Sequence, residues 1–173
     1  MKSTFYSPKK IAVLGLLLAV IIILLMIERM LPPLPIFPPN FKLGLSNIIV
    51  MFTAFSLGGK DAFTLGVLKG FFNTLLRGTM AGLLSLSGGL ISITVILLLN
   101  KISKGKISII ILSVLGAISH NMGQLAMASF LMGSHLVFIG FLPVLLIAGA
   151  VLGTLTGIAA KIIMPRLSQL MRI

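Results

Sequence analysis

Lys69, Asn73 and Arg77 carry the strongest chemical signal in the chain. They are spaced i, i+4 and i+8 inside an apolar segment. At about 100° per residue they drift by only about 40° per step, so they share one helix face. A cation in the middle of a membrane-length helix costs several kcal/mol unless it is paired or hydrated. The chain offers little to pair it with, having 14 Lys+Arg against 2 Asp+Glu. Glu28, at the far end of the first apolar segment, is within reach of Arg29, Lys42 or Arg77. Asp61 sits at the opposite end of the Lys69 helix and cannot reach Arg77. Cations left unpaired on one stripe imply an exogenous anion such as a carboxylate, phosphate or diphosphate. The structural alternative is that Lys69 snorkels and Arg77 anchors at the headgroups. It suits Arg77 well and mid-span Lys69 poorly.

A second polar cluster reads Ser119-His120-Asn121-Met122-Gly123-Gln124. His120 and Gln124 are i, i+4 and share a face. Ser85, Ser87, Gly88 and Gly89 occupy the outer half of the preceding apolar segment, and Lys42 to Asn47 open an earlier one. Four segments thus carry polar side chains at one depth, while their cytoplasmic halves read as nearly pure aliphatic. The pattern describes a pocket open to the outside with a positive floor. The alternative is interhelical hydrogen bonding, a common use of Ser, Asn, Gln and His in membrane bundles. His120 as a lone general base has no nucleophile or carboxylate to orient it, so no enzymatic activity, cofactor or metal is expected.

The elements that must position these residues are apolar runs. Of the chain's 173 residues, 58% are hydrophobic and 9% charged, against about 25% charged in a soluble domain. The basic residues are dispersed between apolar runs and form no soluble face, which argues against nucleic acid. Cysteine is absent, excluding disulfides and thiol chemistry. Six segments are expected to form helices: Ile11–Ile27, Leu43–Leu57, Ala62–Leu76, Met80–Leu99, Ile107–Met132 and Leu136–Met164, the last ended by Pro165. The second and third are short for a core of about 30 Å. The first lacks a small-residue cleavage site and reads as a retained helix rather than a signal peptide. The whole of 1–173 forms one all-α membrane domain in the bilayer. Lys2, Lys9, Lys10, Lys60, Lys101, Lys104, Lys106, Arg166 and Arg172 collect on one side, which predicts both termini in the cytoplasm.

Two features are open at this level. Five prolines in the external stretch Leu31–Asn40 favour a polyproline-like spacer or a lid over the pocket. Ala12, Gly15 and Ala19 on the first helix permit close helix approach, either within the bundle or to a partner membrane protein.

Lys42-Leu-Gly-Leu-Ser-Asn47, Leu86-Ser-Gly-Gly89 and Ser119-His-Asn-Met-Gly-Gln124 together resemble the Gx transporter family, also called heptaprenyl diphosphate synthase component I. The resemblance runs from about Lys9 to Lys161. That family is similar to the substrate-binding S components of energy-coupling factor (ECF) transporters. The resemblance implies a multi-pass protein of the bacterial cytoplasmic membrane, a six-helix bundle that captures a ligand from outside. It also implies partnership with a T component and two ATPases. Such components often dock through Ala-x-x-x-Ala; here the nearest match is Gly15-x-x-x-Ala19. The implied ligand is a small anion or an isoprenoid or quinone precursor, with Lys42, Asn47, Lys69, Asn73, Arg77, Ser87, Gly88, His120, Asn121 and Gln124 as the expected contacts. The chain has no GxxxxGK[ST] loop, so ATP would be used by partners. The synthase name implies the alternative, a noncatalytic membrane component of a heptaprenyl diphosphate synthase with a soluble prenyl synthase as partner. Two acidic residues cannot build the Asp-rich motifs that hold Mg²⁺ against a diphosphate.

Overall fold

The computed structural model describes residues 7–30 and 44–171. Lys2, Lys42, Arg172 and the proline-rich stretch Leu31–Asn40 lie outside the described residues. Six helices follow one another: α1 (Pro8–Met30), α2 (Asn47–Ser56), α3 (Gly59–Arg77), α4 (Thr79–Ile102), α5 (Ile109–Met132) and α6 (His135–Met171). No strand occurs among the described residues.

Four helices are long and apolar enough to cross a membrane: α1, α4, α5 and α6. α3 has 19 residues, about 28 Å of helix, but Lys60, Asp61, Lys69, Asn73 and Arg77 make it polar. α2 is half the length a crossing needs, with 10 residues, or about 15 Å. It starts at Asn47 and not at Leu43. Gly44, at φ +76°, accepts the Asn47 amide in the turn ahead of it, a conformation that suits glycine.

α6 also departs from expectation. It runs for 37 residues with Pro143 and Pro165 both inside it. Pro165 removes one backbone donor but does not end the helix, because Ala160 and Met164 before it are buried in the core and Leu167 after it packs against the same core.

The bundle is assembled in sequence order, with neighbouring helices packed as hairpins. Gly58, Gly78, Gly105 and Gly133 make the turns with positive φ. α5 begins on Ser108, whose hydroxyl accepts the Ile110 amide at 3.2 Å, the usual service of a serine cap. α2 closes the bundle by touching α6 as well as α3. Its core joins Leu17, Ile21 and Leu25 of α1 to Phe52, Leu65, Ile93, Ile96 and Ala160.

Close helix approach is concentrated in α6. A methyl group at Gly149, Gly153 or Gly157 would lie 3.1, 2.6 and 2.9 Å from the Cα atoms of Ile118, Val114 and Ile110. Glycines spaced by four thus bring the α6 backbone against α5. The first helix does nothing comparable. Ala12, Gly15 and Ala19 are exposed, and nothing lies within 4 Å of a methyl at Gly15. Their small size is not spent on packing within the bundle.

Polarity is inverted relative to a water-soluble fold. Ile11, Leu16, Ile23, Ile102, Phe130, Leu136 and Ile147 are exposed, while Glu28, Asp61, Lys69, Asn73, His120 and Gln124 are buried. Water selects the opposite distribution, and a bilayer selects this one. The protein is a membrane-embedded helical bundle.

Candidate binding site

The polar stripe of α3 faces inward. Lys69 and Asn73 are 3% and 4% exposed. Gly70 and Gly82 let α3 and α4 approach at this level, since a methyl at Gly70 would already meet Leu86 Cβ at 3.1 Å. Lys69 Nζ donates to Asn47 Oδ1 at 2.5 Å, so α2 contributes the first polar group met by the buried cation. Asn73 Nδ2 donates to the Ala81 carbonyl at 2.8 Å, bracing the turn between α3 and α4.

α5 supplies the facing groups. Gln124 Nε2 lies 2.7 Å from His120 Nε2, the i, i+4 contact that the spacing predicts. With the amide as donor, that ring nitrogen accepts and the ring proton sits on Nδ1. Gly88 packs directly against this pair. A methyl there would fall 2.7 Å from the His120 carbonyl oxygen and 3.0 Å from its Cε1.

These residues enclose two small adjoining cavities. A charged cavity of about 20 Å³ is lined by Glu28, Lys69, Asn73, Arg77, Ser85, His120 and Gln124. A second cavity of about 40 Å³ is lined by Asn47, Ser92, Ser113, His120, Asn121 and Thr156, with Val50, Met51, Ile93 and Ile96 among its apolar walls. His120 and Gly44 line both. Together they have room for a few water molecules at about 10–15 Å³ each. Asn73 Oδ1, His120 Nδ1 and Gln124 Oε1 are buried without a hydrogen bond. Buried polar atoms ordinarily find partners, so three orphans around one cavity mark a place prepared for something else.

The structure brings together Asn47, Lys69, Asn73, Arg77, His120, Asn121 and Gln124, with Gly88 directly behind His120. Ser87 is not part of this group. Its hydroxyl donates to the carbonyls of Leu84 and Gly123, at 3.0 and 3.2 Å, and ties α4 to α5. Asn121 lines the second cavity, yet its amide is spent on the Leu145 carbonyl at 2.9 Å. Lys42 lies outside the described residues.

Two expectations need correction. The floor is not purely cationic: Glu28 is buried in the same cavity, accepts the Ser46 amide at 3.2 Å, and acts electrostatically on both Lys69 and Arg77. Nor are the opposite helix halves purely aliphatic. Ser92 donates to the Gly116 carbonyl at 2.8 Å, Ser113 pairs with Thr156 at 3.0 Å, and buried Asp61 pairs with Lys10 at 2.7 Å. Serine and threonine can satisfy themselves on their own helix, so the sequence did not reveal that three of them line a cavity.

No group of three or more potential metal ligands occurs among the described residues. No curated protein and no solved structure matches the chain. The family model for heptaprenyl diphosphate synthase component I matches residues 17–163, a range holding the described lining of both cavities. The chain belongs to the heptaprenyl diphosphate synthase component I family.

Proposed function

We propose that the protein is a noncatalytic, substrate-binding membrane subunit that takes up a small anionic or isoprenoid- or quinone-related ligand from outside the cell. The observation that carries this reading is the charged cavity, where Lys69 and Arg77 face the orphaned polar atoms of Asn73, His120 and Gln124. Intramembrane cations are expensive and are retained where they act on a ligand or pathway. In this reading all six helices cross a bacterial cytoplasmic membrane, α2 as a short crossing enclosed by protein. Lys60, Lys101, Lys104, Lys106 and Arg166 favour cytoplasmic termini by the positive-inside rule. Energy comes from partners of the T-component and ATPase type, and the exposed Ala12–Gly15–Ala19 strip of α1 is their docking surface.

The family match favours a second reading, a noncatalytic membrane component that holds a soluble prenyl synthase at the bilayer. Native mass spectrometry of the protein purified from its own membranes separates the two. Uptake predicts a retained small ligand, lost in the Lys69→Ala/Arg77→Ala double variant with affinity down by at least about 100-fold. A stoichiometric prenyl synthase with no ligand supports the second reading. A ligand held equally well by the double variant overturns the cavity assignment.

A further inference from the structure

The polar face of α5 continues past the charged cavity. Ser113, Gly116, His120 and Gln124 recur at spacings of three and four, which puts them on one face of the helix. From Ser113 to Gln124 the stripe extends about 16 Å, roughly half the thickness of a hydrocarbon core. Gln124 lines the charged cavity, Ser113 and Gly116 line the second, and His120 lines both. The two cavities therefore adjoin along the helix axis with His120 between them. Glycine at 116 keeps the second one open, since a methyl there would lie 2.5 Å from Ile96 Cδ1 and 3.3 Å from Ser92 Oγ.

Both cavities have the size and the partners that water needs. The charged cavity, about 20 Å³, has room for about one molecule, and the second, about 40 Å³, for about three. An apolar cavity stays dry, whereas water is held where it meets about two to four polar groups. In the charged cavity Asn73 Oδ1 and Gln124 Oε1 are buried acceptors without a donor. Lys69 Nζ, an ammonium with three N–H groups, gives one of them to Asn47. Water can donate to such acceptors and accept from such a cation. In the second cavity Ser92 is bonded to the Gly116 carbonyl at 2.8 Å and Ser113 to Thr156 at 3.0 Å. A hydroxyl that donates one hydrogen bond still accepts others.

We propose that the two cavities form one internal hydration site, an ordered chain of water that passes His120 and solvates Lys69. A cation inside a bilayer needs a partner or water, and this chain supplies the water. The site reaches Ser113 and Thr156, on the far side of His120 from Gln124, and it does not depend on the uptake reading.

The test is hydroxyl-radical footprinting of the full chain in mild detergent, in ¹⁸O-labelled water with no added ligand, read residue by residue by mass spectrometry. Radicals made from held water oxidise the side chains beside it, methionine readily. Met51 and Met164 are both buried, at 5% and 8% exposed, but Met51 lines the second cavity and Met164 lines neither. Leu25 and Leu17 give the same comparison on α1, at 3% and 1% exposed, with Leu25 alone of the two lining the charged cavity. Label is expected to enter Met51 and Leu25 at least about fivefold faster than Met164 and Leu17. Ser92→Ala/Ser113→Ala removes hydroxyls that hold the water and is expected to bring Met51 down toward Met164. Equal labelling within both wild-type pairs overturns the proposal, whether or not the double variant folds. Label at Met51 without label at Leu25 confines water to the second cavity and overturns the joined site. Labelling of Met51 unchanged in the double variant overturns it too, because general opening of the bundle, and not held water, would then supply the radicals.

Discussion

The α4–α5–α6 half and the α1–α2–α3 half are held together by different interactions. In the first, glycines bring backbones into direct contact. Gly149, Gly153 and Gly157 seat α6 on α5, and a methyl at Gly123 would meet Gly88 Cα at 3.0 Å. In the second, charged side chains join helices around an apolar core, whereas the hydrogen bonds between helices of the first half, Ser87–Gly123, Ser92–Gly116, Ser113–Thr156 and Asn121–Leu145, are all uncharged. Lys10–Asp61 and Glu28–Ser46 fasten α1 near its two ends, and Lys69–Asn47 fastens α3 to α2. Between those ends α1 relies on Leu17, Ile21 and Leu25. Close-packed backbone has no alternative arrangement nearby, whereas a hydrogen bond can be traded for one to a ligand. The difference teaches that the buried charges, Glu28, Asp61 and Lys69, lie in the half whose contacts a ligand can replace, against a half joined by close-packed backbone.

Three substitutions sharpen that contrast. Gly153→Val attacks the close-packed half, where the added carbon would lie 2.6 Å from Val114 Cα and 3.1 Å from the Ser113 carbonyl oxygen. Neither backbone atom can rotate away, so a loss of about 3 kcal/mol is expected, read as a lower thermal midpoint in detergent. An unchanged midpoint would mean that the glycine contact is not what holds α6.

Lys10→Met attacks the polar half by leaving Asp61 buried without its partner. The Lys10 side chain is 35% exposed and that of Asp61 2%, so solvent screening trims the effect to about 1–2 kcal/mol. Adding Asp61→Asn is expected to recover most of it, and a double-mutant cycle with no coupling would remove the ion pair from the account.

Gly15→Leu is the smallest. Nothing stands within 4 Å of the new carbon, so stability is expected to stay within about 0.5 kcal/mol. Co-purification with a membrane partner is the quantity expected to fall. A drop in thermal midpoint instead would place this face inside the bundle.

Much of this arrangement was legible in the sequence, unevenly. The Lys69-Asn73-Arg77 stripe and the His120–Gln124 pair were read correctly because helical spacing alone fixes which residues share a face. Gly88 is legible in the sequence as an expected ligand contact, but not its approach to His120, since a glycine does not say what it will meet. α2 was misjudged in length because apolarity carries no information about where a turn at Gly44 will start the helix. α6 was cut short at Pro165 because the rule against interior proline gives way when tertiary burial outweighs one missing hydrogen bond. The Gly149-x₃-Gly153-x₃-Gly157 and Gly15-x₃-Ala19 spacings are both visible in the sequence, but spacing does not say which of them meets a neighbouring backbone, and only the first does. Glu28 was seen as an acid near the external end, but only packing reveals that its carboxylate turns into the cavity.

The polarity of α3 also bears on how the protein is made. A helix leaving the translocon is tested against lipid on its own composition, and a lysine at its centre weighs about 2.5–3.5 kcal/mol against entry. α3 therefore enters lipid poorly by itself, and the 10 residues of α2 are too few to escort it. The Gly78 turn joins α3 directly to α4, which is long and apolar. Insertion of α3 is thus expected to wait for α4, so that the residues lining the cavity reach the membrane only in company with the wall that will cover them.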